Sequence, residues 1–219
     1  MRKVHISVEG QTEETFVRDV LQPHLPLLYL NPVLLKTKRV ASGPDFRGGY
    51  VPFAVMEQEL RKLLGDSSAA VVTTMYDYYA LPKDFPGKDK ELPLDPLGRV
   101  QQLETALAKR IDNHRFRPYL QLHEYEAFLF VDTRLTCRVI GGSEEQLGQL
   151  ESIKRRFASP EHIDDGVTTA PSKRVQAVLA GYDKVLHGPQ VASRVGISRL
   201  AESCPHFGEW LAWLRGLNP

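Results

Sequence analysis

Four carboxylates carry the chemistry this chain could perform: Glu9, Asp77 and the pair Glu124 and Glu126. Each stands at the end of a short apolar run, where a strand gives way to a loop. Carboxylates gathered at one sheet edge repel one another unless a cation sits among them. Hard oxygen ligands without thiolate or imidazole partners select Mg2+ or Mn2+. A divalent ion so held clamps a phosphate oxygen, lowers the pKa of a water and stabilises a leaving oxygen. Singly, each acid reads as a turn or cap residue; jointly, after three separate strands, they read as a metal site. In a strand Glu124 and Glu126 would share a face, whereas at a helix start they would diverge and only one could reach the ion. Glu124, nearer the strand end, is the expected ligand, with Glu126 close behind.

Basic residues supply the complement. Ser172-Lys173-Arg174 follows Pro171 and opens a helix, whose free amides attract phosphate and whose Lys and Arg add charge. The alternative is that Ser172 is an N-cap and the two bases are solvated. Tyr182 and Lys184 close the same predicted helix and could line the same groove. His123 is a candidate proton carrier or carboxylate partner, although a lone His beside a strand end is more often structural. His114-Arg-Phe-Arg-Pro-Tyr could stack on bases and meet phosphates, or simply connect a helix to a strand.

The elements that must position these residues follow from periodicity. Lys3 to Val8 alternates as a strand, Glu9-Gly10 breaks it, and Thr12 is the expected N-cap of a helix carrying Phe16, Val17, Val20 and Leu21 on one stripe. Acidic residues Glu13 and Glu14 suit the positive helix end. Pro23 and Pro26 end or bend this helix. Val33 to Val40 reads as a second strand, Ser42 to Tyr50 as a loop, and Phe53 to Leu64 as a helix stopped by Gly65. Ala69 to Tyr76 is the strongest strand, apolar on both faces as in a parallel sheet, and runs into Asp77. Tyr78 to Gly98 is a long, proline-rich loop of the kind that is usually functional. Leu97 to Asn113 is helical, and Pro118 to Leu122 is a fourth strand. From Ser143 onward helices alone are expected, at Glu144–Phe157, Ser172–Tyr182, Gln190–Val195 and His206–Leu214. The loop between the first two contains Asp164-Asp165-Gly166. Strand–helix alternation implies a mostly parallel sheet of about four strands flanked by helices, with its strand ends and acids on one edge. Residues 1–142 are expected to form the α/β core and 143–219 a helical extension packed on it, or one continuous domain.

With 219 residues, 42% hydrophobic and 25% charged, the chain has the composition of a globular protein. A net charge of +1 argues neither for nor against nucleic acid, because a nuclease needs only a local basic patch. Two distant cysteines, Cys137 and Cys204, exclude a thiolate zinc knuckle and argue against a disulfide framework. The opening run is too short for a signal peptide, and no stretch approaches the roughly 20 apolar residues of a membrane span. A cytoplasmic protein without membrane association is expected. The phosphate-cradling loop of P-loop enzymes, the two-histidine zincin motif and the nucleophile elbow of hydrolases are all missing.

The strand ending in Glu9-Gly10 before a helix, and the apolar strand ending in Asp77, resemble the TOPRIM fold of topoisomerases, primases and overcoming-lysogenization-defect (OLD) nucleases. More closely, Val8-Glu-Gly-Gln-Thr-Glu-Glu, Met75-Tyr-Asp-Tyr-Tyr-Ala-Leu-Pro, Leu122-His-Glu-Tyr-Glu-Ala-Phe-Leu-Phe, Ala170-Pro-Ser-Lys-Arg and Cys204-Pro-His-Phe-Gly-Glu-Trp-Leu are similar to an uncharacterised bacterial TOPRIM-like family. That family is often encoded beside an ATPase in phage-defence or mobile loci. The resemblance implies a TOPRIM-like fold, Mg2+ or Mn2+ on Glu9, Asp77, Glu124 and Glu126, and Lys173 as the stabiliser of a pentavalent phosphate. It implies nucleic acid as substrate and an AAA or ABC-type ATPase as partner. One departure stands out: TOPRIM proteins carry Asp-x-Asp where this chain has Asp77-Tyr78-Tyr79. A tyrosine hydroxyl titrates near 10 and cannot replace a carboxylate on Mg2+, so either Glu124 or Glu126 supplies the missing oxygen, or the site binds metal weakly, or it has lost catalysis, and Tyr79 is left a supporting place beside the ligands.

Three functions are therefore expected in order. The first is a metal-dependent nuclease, the effector of an anti-phage system. The second is a weakly active or inactive adaptor that binds an ATPase. The third is a small-molecule phosphohydrolase or phosphotransferase using the same chemistry. Asp77 locked in a buried pair with a basic group, or Glu9 and Asp77 on opposite flanks of the molecule, would overturn the first.

Overall fold

The computed structural model describes residues 1–35, 51–163, 166 and 168–217. Its centre is a parallel sheet. β1 (Arg2–Val8) lies between β2 (Leu28–Leu34) and β3 (Ala69–Asp77), and β3 pairs in turn with the short strands β4 (Phe116–Arg117) and β5 (Leu120–Gln121). Every pairing among the described residues is parallel. The expected fourth strand, Pro118–Leu122, is seen as β5 alone; β4 precedes it, and Pro118, with no amide to donate, lies between the two. Among the described residues the sheet has five strands, and the α/β, mostly parallel class read from the sequence holds. The second strand runs earlier than expected. Of the predicted Val33–Val40 only its first two residues fall in β2, and residues 36–40 and the predicted loop to Tyr50 lie outside the described residues.

Two apolar cores form, one on each face of the sheet. Alternation along the strands sends Val4, Ile6, Val8 and Met75 to one face and Val72 and Tyr76 to the other. The second face is covered by α2 (Phe53–Leu64) and α3 (Pro96–Ile111). In α2, Phe53, Met56, Leu60, Leu63 and Leu64 recur at helical spacing and are buried. The first face is covered by the opening helix and by the C-terminal helices. The opening helix is α1 (Gln11–Thr15), widening into a π-helical stretch at Phe16–Leu21 and closing as a 3-10 turn through Pro23. Gly10, not Thr12, occupies its N-cap; Thr12 lies one residue inside the helix and is buried. Trp210 and Leu211 of the last helix are buried in this core, and Trp210 donates to Thr73 Oγ1 at 3.0 Å, tying the helix to β3.

After β5 the chain turns through His123, whose φ of +64° is rare for a non-glycine residue. A 3-10 segment, Tyr125–Phe130, follows. Then come α4 (Thr133–Ile140), α5 (Glu144–Lys154), α6 (Pro171–Val178), α7 (Lys184–Val195), α8 (Ile197–Ser203) and α9 (Pro205–Gly216). The 3-10 segment, α4 and α8 are additions to the sequence reading. The predicted Ser172–Tyr182 helix ends at Val178, and Lys184 opens the next helix, capped by Asp183, instead of closing the first. No described helix is long and apolar enough to cross a membrane. Cys137 and Cys204 are buried free thiols.

Candidate functional site

Parallel pairing brings the carboxyl ends of β1 and β3 level: Val8 is paired with Met75, so Glu9 emerges beside Asp77. The Asp77 amide donates to Glu9 Oε1 at 3.1 Å. Asp77 Oδ1 in turn accepts from the Tyr125 amide at 2.9 Å, which fastens the segment after β5 to the end of β3. His123, immediately before Glu124, takes up left-handed backbone.

Glu124 and Glu126 then diverge, as expected at a helix start. Glu124 Oε2 accepts from the Ser172 amide at 2.9 Å, at the N-terminus of α6. Glu126 is buried; its Oε1 accepts from the Tyr182 hydroxyl at 3.2 Å. Glu126, rather than Glu124, therefore shares a basic partner with Asp77. That partner is Lys184, whose Nζ lies 3.5 Å from Asp77 Oδ2, from Glu126 Oε2 and from Glu13 Oε1. A lysine at the first position of a helix sits against the positive end of the dipole. What holds it there is the ring of carboxylates around it.

Glu13 belongs to this group although the sequence reading gave it only a helix-dipole role. The signal was present: Glu13 precedes Phe16 by three residues and Val17 by four, on the stripe that faces the core. Gly10 matters through space rather than through a sharp turn. Its backbone is extended, and a Cβ there would approach Glu13 Oε2 to 3.2 Å. Gly188, one turn along α7 from Lys184, makes the second close approach. A Cβ would come within 3.0 Å of Tyr125 Cε1 and 3.1 Å of Thr12 Cγ2.

Among the described residues, five carboxylates (Glu9, Glu13, Asp77, Glu124 and Glu126) face one ammonium at this edge. Burial, followed by repulsion from Glu13, pushes Glu9 from 4.5 up to about 8, against the pull of Lys184 and the Asp77 amide. Burial also raises Asp77 well above the carboxylate range, with Lys184 opposing and Glu13, Glu9 and Glu126 reinforcing. Glu126 is raised by burial and by Glu124, with Lys184 again opposing. Burial lowers Lys184, but Asp77, Glu126 and Glu13 outweigh it and hold the ammonium well above its ordinary value. Such a cluster binds protons or takes in more positive charge.

The other expected residues are placed as follows. Lys173 is exposed on the first turn of α6, next to the residue whose amide holds Glu124. The Ser172 amide is already engaged by that carboxylate, and the cap position belongs to Ala170. Arg174 donates to the Thr169 carbonyl at 2.6 Å and packs over Phe157, both structural contacts. Tyr79 is exposed and tied by its backbone to the His123 carbonyl, while the buried His123 ring stands edge-on to Tyr78. In His114–Tyr119, Arg115 donates to the carbonyls of Asp66 and Ala69, and Arg117 packs over Trp213.

A hard divalent ion suits this donor set by chemistry: the ligand atoms are all carboxylate oxygens, in charge excess. Buried Glu13 Oε1, Glu126 Oε2 and Tyr125 Oη make no hydrogen bond among the described residues. As placed, however, no three described His, Cys, Asp or Glu residues are close enough together to hold one ion. An incoming ion must draw the carboxylates inward and compete with Lys184.

No curated protein matches the chain. Among solved structures, the C-terminal region of the Xanthomonas campestris pv. campestris OLD protein aligns over 96% of both chains, with 17% identity and a TM-score of 0.41. Residues 8–215 match the family described as "Domain of unknown function (DUF4276)", and the chain belongs to that family.

Proposed function

We propose that this chain hydrolyses phosphodiester bonds of nucleic acid with the help of Mg2+ or Mn2+, as a TOPRIM-like nuclease acting with an ATPase partner in phage defence. The observation that carries this reading is the meeting of Glu13, Asp77 and Glu126 around the Lys184 ammonium at the carboxyl edge of a parallel sheet, with Glu9 beside them on the Asp77 amide. Glu13, Asp77 and Glu126, with Glu9 beside them, would hold the ion, and Glu124 nearby fixes the start of α6. When bound, the ion supplies a polarised phosphate and an activated water. Lys184, with 39% of its side chain exposed, would meet a phosphate oxygen and offset charge developing on it. This gives Lys184 the part that the family resemblance suggested for Lys173, and leaves Lys173 at the rim as a second phosphate contact.

Glu9→Gln and Asp77→Asn are expected to abolish Mg2+-dependent cleavage of DNA or RNA while the circular dichroism spectrum and cooperative unfolding are retained. Full cleavage by either folded variant rejects the reading.

A second reading has its own support. Asp77 is paired with a basic group, and Tyr79, in place of a second aspartate, turns to solvent. In this reading Lys184 is the permanent cation of the edge, and the chain is an adaptor for the ATPase. The pair is long, at 3.5 Å, and split among three carboxylates, which favours the nuclease. Calorimetry of the purified chain with Mn2+ decides between them: heat of binding supports the nuclease, and its absence, with retained binding to a co-encoded ATPase, supports the adaptor.

A further inference from the structure

Lys184 is the feature that a simple carboxylate metal site does not explain. A ligand set made only of acids would be expected to leave its centre open to the ion. Here a lysine reaches the centre from the first turn of α7, where the helix dipole opposes it. The backbone is arranged to bring it there. Gly188 lets α7 press against Tyr125 and Thr12 one turn below, and the Asp183 side chain caps the helix by accepting from the Leu186 amide at 2.9 Å. The ammonium sits 3.5 Å from each of three carboxylates on three different elements: Glu13 on α1, Asp77 at the end of β3 and Glu126 after β5. No one of them holds it at close hydrogen-bonding distance, and its side chain stays 39% exposed. Such a contact is favourable through charge and weak in geometry. A divalent ion at the same carboxylates would gain twice the charge and repel the ammonium.

We propose that Lys184 is a tethered counter-ion that holds the acidic edge together without metal and is displaced outward when a divalent cation binds, so that metal entry delivers the ammonium to the substrate phosphate. This rests on the reading of the edge as a metal site. Only ionic contacts change: the carboxylates exchange one cation for another and no covalent bond is altered. Exchange couples metal binding to presentation of the phosphate-binding charge, and keeps buried acids from facing one another with no cation between them.

Two measurements test the exchange. In the first, Mn2+ binding to the wild-type chain and to Lys184→Met is compared by titration calorimetry and electron paramagnetic resonance. Loss of the competing charge is expected to tighten Mn2+ binding by roughly tenfold or more. Binding that is equal or weaker in Lys184→Met, with binding intact in the wild type, overturns the exchange and leaves the metal site standing. Failure of both proteins to bind Mn2+ overturns the metal site and the exchange together. The second uses wild-type protein with 15N-labelled lysine, and so does not depend on the variant folding. Saturating Mg2+ is expected to move the Lys184 ammonium resonance to that of a solvent-exposed lysine and to speed its proton exchange. A resonance unchanged at saturation overturns the proposal.

Discussion

Glu9 concentrates the electrostatic problem of the site. Its acid form is favoured in the folded chain, with its pKa raised from 4.5 to about 8 by burial and by Glu13. Between those values the native state binds more protons than the unfolded one. The contribution of Glu9 to stability is therefore full below about pH 4.5, declines as pH rises, and has been lost above about pH 8. Asp77 and Glu126, also raised, add to this slope in the same direction. Glu9→Gln keeps an acceptor for the Asp77 amide and removes the charge. It is expected to be more stable than the wild type at pH 9 by on the order of 1–3 kcal/mol, and little changed at pH 4. Urea unfolding at the two pH values checks this, and an equal difference at both would contradict it. Added Mg2+ is expected to flatten the wild-type slope, since an ion at the carboxylates replaces the protons there, and proton release on binding is measurable by calorimetry in buffers of different ionisation heat.

Helix α7 shows how an element is shaped by what it must carry. Its first residue is a lysine, its cap is Asp183, and Gly188 and Pro189 lie in its interior, a poor sequence by helix propensity. At Gly188 the helix runs so close to Tyr125 and Thr12 that a Cβ would meet them at 3.0 and 3.1 Å, tighter than ordinary van der Waals contact. Gly188→Ala would gain helix propensity but overpack the contact, and a net loss of roughly 1–3 kcal/mol is expected. Because the displaced turn carries Lys184, the variant should also alter Mn2+ affinity; unchanged stability and affinity would show that α7 is not seated by this approach. Asp183→Ala removes the cap bond to Leu186 and is expected to cost about 1 kcal/mol, measured by thermal unfolding.

Across the whole molecule, the site depends on the sheet being covered on both faces. Helices α2 and α3 close one side, and the opening helix with the C-terminal helices closes the other. The last helix reaches the centre of the sheet through Trp210, which stacks on Tyr119 at 4.6 Å and hydrogen-bonds Thr73 on β3. Trp210→Ala is expected to cost about 3–5 kcal/mol, measured by chemical denaturation, because it opens a cavity against β3 and removes the partner of a buried hydroxyl. Residues 143–219 therefore bear on the same strand that ends in Asp77, and both Lys184 and Tyr182 in the site come from them.

Strand β3 and helix α2 were legible along the chain because their apolar residues recur at the period of one element and need no distant partner. The acidic edge was legible for a related reason: a carboxylate that follows a buried parallel strand falls on a known side of the sheet wherever its neighbours are in sequence. Glu9 and Asp77 meet on that ground. Lys184 could not be placed in this way. Its position depends on where α6 ends, on the cap at Asp183 and on the approach of Gly188 to Tyr125 and Thr12, the last a contact between segments distant in the chain. The different fates of Glu124 and Glu126 likewise turn on the left-handed backbone at His123, which no periodicity announces. Local pattern sets the elements and the edge they share, whereas the pairing of charges across that edge is settled by packing between segments distant in the chain.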